Sequence, residues 1–117
     1  MSEDRPLAEM TDRRNPLSAQ KRLALFSDRI ECWDGETLER RIGLNQVASV
    51  RLAVEMAGST TQVACRVAGP AGEIAFGSRT ARNGAFEDNS AQFTPFLVAL
   101  HQALEPRYGE VAFLEGQ

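Results

Sequence analysis

A chain of 117 residues, 43% of them apolar and 25% charged, has room for one globular domain with one core and is too short for two. Its 13 basic and 16 acidic side chains leave a net charge of −3, which argues against a module that grips nucleic acid by neutralising phosphates. Lys21 is the only lysine; the arginine bias suits bidentate recognition of carboxylate or phosphate, and it also follows from a GC-rich genome.

The start, MSEDRPLAEMTDRR, is charged and has no apolar centre, so it is not a signal peptide. No apolar run approaches the roughly 20 residues of a spanning helix. A cytoplasmic chain with no integral membrane segment is expected. Cys32 and Cys65 each alternate with apolar neighbours and are expected as small hydrophobes, not as a disulfide. Residues 1–20, with Pro6, Pro16 and few large apolar side chains, are expected to be a flexible arm ahead of a single domain over 21–117. Asn15-Pro16 carries a helix-start signal, an N-cap followed by proline at the first position.

Strand patterns begin at Leu23. LALFSDRIECW, broken at Ser27-Asp28, reads as two short strands or one bent strand ending at Trp33. Asp34-Gly35 is a hairpin signal, with Glu36-Thr37 lengthening the loop. LERRIGL (38–44) and QVASVRLAVE (46–55) follow, with a bend at Asn45. MAGST turns the chain into TQVACRVA, and Gly69-Pro70-Ala71-Gly72 fits a type I turn into EIAFGS. Residues 79–88, RTARNGAFED, read as a mobile loop around Asn83-Gly84.

Residues 89–107 carry the one strong helical pattern. At about 100° per residue, Phe93, Leu97, Leu100 and Leu104 form a stripe flanked by Phe96, Ala103 and His101. Asn89 and Gln92 have capping-box spacing; a start at Thr94 with Pro95 first in the helix is the alternative. Pro106 is expected to end the helix, with VAFLEGQ as a short strand or tail.

Alternation also sets a register. A turn centred on Gly58-Ser59 places Val50, Leu52 and Val54 opposite Val67, Cys65 and Val63, and the next turn places Val67 and Cys65 opposite Ile74 and Phe76. These pairs define a core face. The other face carries Ala53, Ala64, Ala68, Ala75 and Gly77, with Arg51 directly opposite Arg66. Like charges in that position are mildly destabilising, roughly 0.2–1 kcal/mol. Either the guanidiniums splay into water or pair with Glu55 and Glu73, or the face docks a second subunit or an anion.

Specific chemistry is scarce. His101 is the only histidine, and its i, i+4 spacing to Glu105 lacks the companion residues of a metal motif. GPAG lies between strands and so is no phosphate loop. The carboxylates Glu31, Asp34, Glu36 and Glu39 are adequately explained by a solvated turn, and Trp33 and Phe26 by core or sheet-edge packing. Arg79 and Arg82 could hold an anion. No catalytic residue, cofactor or metal site is expected.

RRIGLNQVASVRL, where a polar break precedes a strongly alternating strand, and the closing FTPFLVALHQAL helix give a pattern that resembles the pleckstrin-homology-like superfold over residues 23–107, closest to its small bacterial versions. That resemblance implies an α+β, mainly β domain: an antiparallel meander forming a bent sheet or partial barrel, capped by one C-terminal amphipathic helix. About six strands are counted against the family's seven, and a plain α+β sheet under a helix is the alternative. The family's phosphoinositide binders use a basic first hairpin; Ser27–Arg29 here is not basic, so phosphoinositide binding is not carried over. The expected function is a non-enzymatic interaction module for a protein partner or for itself as a homodimer. The alternative is a protein that binds small anionic ligands through Arg51, Arg66, Arg79 and Arg82.

Overall fold

The structure is a computed structural model that describes residues 5–14 and 18–108 and the backbone of 114–115. A four-stranded sheet, three strands of a second sheet and a hairpin lead the chain to the one α-helix among the described residues. The first sheet is an antiparallel meander of β1 (Ala8–Asp12), β2 (Lys21–Leu25), β3 (Arg29–Asp34) and β4 (Thr37–Gly43). A 3-10 turn, Leu44–Gln46, leads to the second sheet: β5 (Ser49–Ala57), β6 (Thr60–Gly69) and β7 (Gly72–Gly77). The hairpin is β8 (Arg79–Arg82) and β9 (Ala85–Asp88), and α1 (Ser90–Tyr108) follows. A two-residue strand, β10 (Leu114–Glu115), runs parallel to β5 at Arg51–Leu52, the one parallel pairing among the described residues. The sheets bend around the core without closing into a barrel.

The turns follow from residue chemistry. Gly35, Gly58 and Gly84 have φ of 59°, 63° and 78°, and Asn83 has 51°. This is left-handed backbone, which glycine and asparagine enter at least cost. The Asp34-Gly35 hairpin is tighter than expected, since Thr37 already pairs with Asp34. The bend at Ser27-Asp28 separates two strands, joined where the Phe26 N–H donates to the Arg29 carbonyl at 2.7 Å.

The core joins both sheets to the helix. Met10, Leu23, Leu25, Ile30 and Ile42 come from the first sheet, and Val50, Cys65, Val67, Ile74 and Phe76 from the second. Phe93, Phe96, Leu100 and Leu104 come from α1. Phe76 sits at the junction, edge-on to Phe96 at 5.0 Å between centroids and tilted to Phe93 at 5.7 Å. The buried stripe therefore runs through Phe96, and Leu97 is only half-buried. Pro95 is accommodated within the first turns of the helix. Pro106 removes one intrahelical bond, yet the helix runs two residues further, to Tyr108, where side chains hold its end.

Side chains pin both helix ends. The Thr11 N–H donates to Gln92 Oε1 at 2.8 Å, and Asn89 Nδ2 donates to the Thr11 carbonyl at 3.0 Å. Asn89 and Gln92 are thus spent on the edge of β1, not on a capping box; Asp88 Oδ1 accepts the Ser90 N–H instead. At the other end Tyr108 Oη donates to the Leu44 carbonyl at 2.6 Å, and Arg107 donates to Asn45 and Ser27.

Three expectations need correction. Ala8–Asp12, read as part of a flexible arm, pairs with β2 in full register and sends Met10 into the core. With one large apolar residue in five, the segment is held by its neighbours and shows little pattern of its own. Residues 79–88, read as a mobile loop, form the β8–β9 hairpin with Thr80 and Ala81 buried. The meander has more than the six strands counted, because AEMTD, RTAR and AFED each carry at most one large apolar side chain and so show no alternation. The helix-start signal at Asn15-Pro16 lies outside the described residues.

Candidate interaction surface

The register expected for the second sheet is the one found. Val50, Leu52 and Val54 face Val67, Cys65 and Val63, and Cys65 and Val67 face Phe76 and Ile74. Burial does not follow register along the whole hairpin. Val50, Cys65 and Val67 are buried, whereas Val54 is 74% exposed, Met56 65% and Val63 38%. The core-face reading of the Val54–Val63 pair is therefore corrected: the two meet, but Val54 stands largely in solvent and Val63 partly so. The helix begins beside Phe76, and the tip of the β5–β6 hairpin projects past it.

On the opposite face the pattern inverts. Ala57, Gln62, Ala64 and Gly77 are buried. The segment after β1 crosses here: Arg14 Nη1 donates to Asp12 Oδ2 at 2.8 Å and to Gln62 Oε1 at 3.4 Å, and the Gly77 N–H donates to Asp12 Oδ2 at 3.1 Å. A side chain at Gly77 would collide with Gln62 and Arg14. Burial pushes the Asp12 carboxyl above its ordinary range, against the pull of Arg14, and its Oδ1 has no hydrogen-bond partner among the described residues. Phe86 packs over Gly58 at the two hairpin tips, which border a cavity of about 520 Å³. The flat alanine-rich face is thus partly roofed by the chain's own N-terminal segment.

The four candidate arginines do not converge. Arg66 lies opposite Arg51, as expected, and is clamped between Glu55 at 2.6 Å and Glu73 at 3.3 Å. The hydrogen bond to Glu55 raises its pKa further. Arg79 Nε donates to the Thr61 carbonyl at 3.0 Å, and Arg82 reaches Glu87 at 3.6 Å in the neighbouring hairpin. Arg51 is exposed and, among the described residues, has no carboxylate partner.

Elsewhere, charge is internally matched. Glu31, expected in a solvated cluster, is 3% exposed and accepts from Arg29 at 2.7 Å, Trp33 at 2.9 Å and Arg41 at 3.1 Å. Burial works to raise its pKa, but the bonds from Arg29 and Trp33 outweigh that and hold it below the ordinary value. Asp34 and Glu39 share Lys21. Cys65 is a free, buried thiol pushed up to about 12 by burial; Cys32 is free and half-buried. His101 lines a shallow groove on the outer side of α1 with Leu97, Val98, Gln102 and Glu105.

Alternation flagged Val54 and Val63 as apolar partners but could not show them uncovered, and Met56 drew no attention as a surface residue. The available signal was length: the apolar alternation of β5 runs from Val50 to Met56, longer than one helix start can roof. No family model, curated protein or solved structure matches this chain. What the fold itself defines is a small antiparallel β domain closed on one side by a C-terminal helix, an arrangement compatible with the pleckstrin-homology-like fold. Among the described residues, no helix is long and apolar enough to cross a membrane.

Proposed function

We propose that this chain is a non-enzymatic binding module of pleckstrin-homology-like architecture that works by associating with itself. One observation carries the reading: Val54, Met56 and Val63 form an exposed apolar face on a strand pair whose other end is core. Covering a valine or methionine side chain fully contributes about 1.5–3 kcal/mol. A cluster of such residues at a projecting tip is what an interaction surface uses. The charge on the same strand pair is consistent with this role, since Glu55 and Arg66 already engage each other within the chain. Light scattering on the eluting peak of a size-exclusion run tests it. A dimer mass is expected, and a monomer at every accessible concentration would overturn the reading.

Arg51 supports a second reading, a weak site for a small anion, because it alone among the four candidate arginines is exposed and lacks a carboxylate partner among the described residues. Thermal shift against phosphate, nucleotides and inositol phosphates tests it, with a rise in Tm expected that Arg51→Ala abolishes. No shift across that panel would remove the reading.

A further inference from the structure

The open edge of β5 specifies how two copies would meet. Val63 both donates its N–H to Ser78 Oγ and accepts from the Ser78 N–H, so its backbone groups point toward the β7 side of β6. Backbone direction alternates along a strand. Gln62 and Ala64 therefore point toward β5, where their partners Glu55 and Ala53 point back at them. Val54 and Met56 are left with their N–H and C=O groups directed at the outer edge. β10 occupies that edge only at Arg51–Leu52. Residues 53–57 are an unpaired edge among the described residues, and their two exposed apolar side chains belong to the very residues whose backbone is unpaired.

We propose that a second copy of this chain adds to this edge as an antiparallel strand, about a two-fold axis through Glu55. The inference rests on the self-association reading above and gives it a geometry. The open stretch is five residues long and Glu55 is its centre, so this axis uses only groups that are unpaired among the described residues. Shifting it to Val54 would set Met56 of the second copy against Leu52, where β10 already lies. About the Glu55 axis, Val54 exchanges both backbone bonds with Met56 of the second copy, and Ala53 lies opposite Ala57. Valine meets methionine on one face and alanine meets alanine on the other, an isologous match.

Charge favours a copy of this chain as the occupant. The apolar face carries no charged residue on either strand: Val50, Leu52, Val54 and Met56 line β5, and Thr61, Val63, Cys65 and Val67 line β6. On that face two chains of net charge −3 meet through uncharged side chains alone. The single charge on the edge, Glu55, is turned to the other face and neutralised by Arg66 at 2.6 Å. Two Glu55–Arg66 pairs then lie side by side, each carboxylate with its own guanidinium. The edge also lacks the lysine, proline or bulge that commonly keeps strand edges apart.

The test is cysteine cross-linking of the full chain in a Cys32→Ser background, read beside the light-scattering mass of the unmodified protein. A residue on the axis meets its own copy in a non-hydrogen-bonded pair, with Cα atoms about 4.5 Å apart, within disulfide reach. Glu55→Cys is expected to give a disulfide-linked species of twice the 12.8 kDa chain mass on mild oxidation. Ala53→Cys, displaced from the axis, should stay uncross-linked. Met56→Lys, which sets a charge on the uncovered face, should return the unmodified chain to a monomer while leaving its unfolding transition in place. If the chain dimerises but Ala53→Cys cross-links and Glu55→Cys does not, or if Met56→Lys remains dimeric, this geometry is wrong and self-association stands. If the chain is monomeric throughout and Glu55→Cys gives no dimer, both fall.

Discussion

The two ends of the β5–β6 hairpin are built from the same pattern and meet opposite fates. Around Val50, Cys65 and Val67 the alternating apolar residues are sealed under Phe76 and α1. A few residues along the same strands, Val54, Met56 and Val63 stand in solvent while Ala57 and Gln62 on the reverse side are buried. The alternation chooses a face, but only a neighbouring element covers it. Where α1 stops, the apolar face opens, and where Arg14 crosses, the polar face closes.

The largest effect should come from breaking the sealed end. Phe76→Ala removes a fully buried ring that touches Phe93 and Phe96 and should cost about 3–5 kcal/mol in urea unfolding. Val54→Ala, on the same face, should change monomer stability by no more than about 0.5 kcal/mol. Equal losses at the two positions would erase the contrast between the ends.

Next is the roof over the reverse face. Gly77→Ala pushes the far ends of Gln62 and Arg14 aside, and through the loss of the Arg14 contacts to Asp12 and Gln62 should cost about 1 kcal/mol. A neutral result would mean that the Arg14 crossing does not hold the face closed. The charged groups give a finer test, because burial acts on two carboxylates with opposite outcomes. Glu31 is held below its ordinary pKa, so the stability it contributes is present above the unfolded-state value and is lost as pH falls through the folded value. Glu31→Gln should therefore flatten the acid limb of a stability-versus-pH curve. Asp12 is raised, so its contribution is present below the unfolded-state value and is lost as pH rises through the folded value. Asp12→Asn should remove that opposing slope. Denaturation midpoints across the carboxylate range measure both, and parallel curves for the two variants and the parent would refute the assignment.

The smallest effect concerns Arg66. If two β5 edges meet, Arg66→Ala leaves two carboxylates opposite each other across the axis, which is worth roughly 0.2–1 kcal/mol. The dimer dissociation constant should rise by up to about fivefold, with little change in monomer stability. An unchanged constant would place Glu55 away from the axis.

Much of the architecture could be read from residue order alone, for local reasons. Glycine at Gly58, the Pro70-Ala71 turn and strict alternation from Val50 to Val67 leave one register that keeps apolar side chains together, and β5, β6 and β7 adopt it. The helix is legible because nineteen residues are long enough for a 3.6-residue period to show. Short strands such as Ala8–Asp12 and the β8–β9 hairpin carry too few large apolar side chains to show an alternation. They exist because Met10 finds the core and because Thr80 accepts the Arg13 N–H.

Sequence by itself determined which side chains share a face, where the chain reverses and where the helix lies, since these depend on residues close together in the chain. Only the tertiary structure decided which faces are covered, because that depends on where a helix start, a crossing arginine and a neighbouring hairpin come to rest. The exposed Val54–Met56 edge is such a decision: its residues are ordinary core residues, left without a cover.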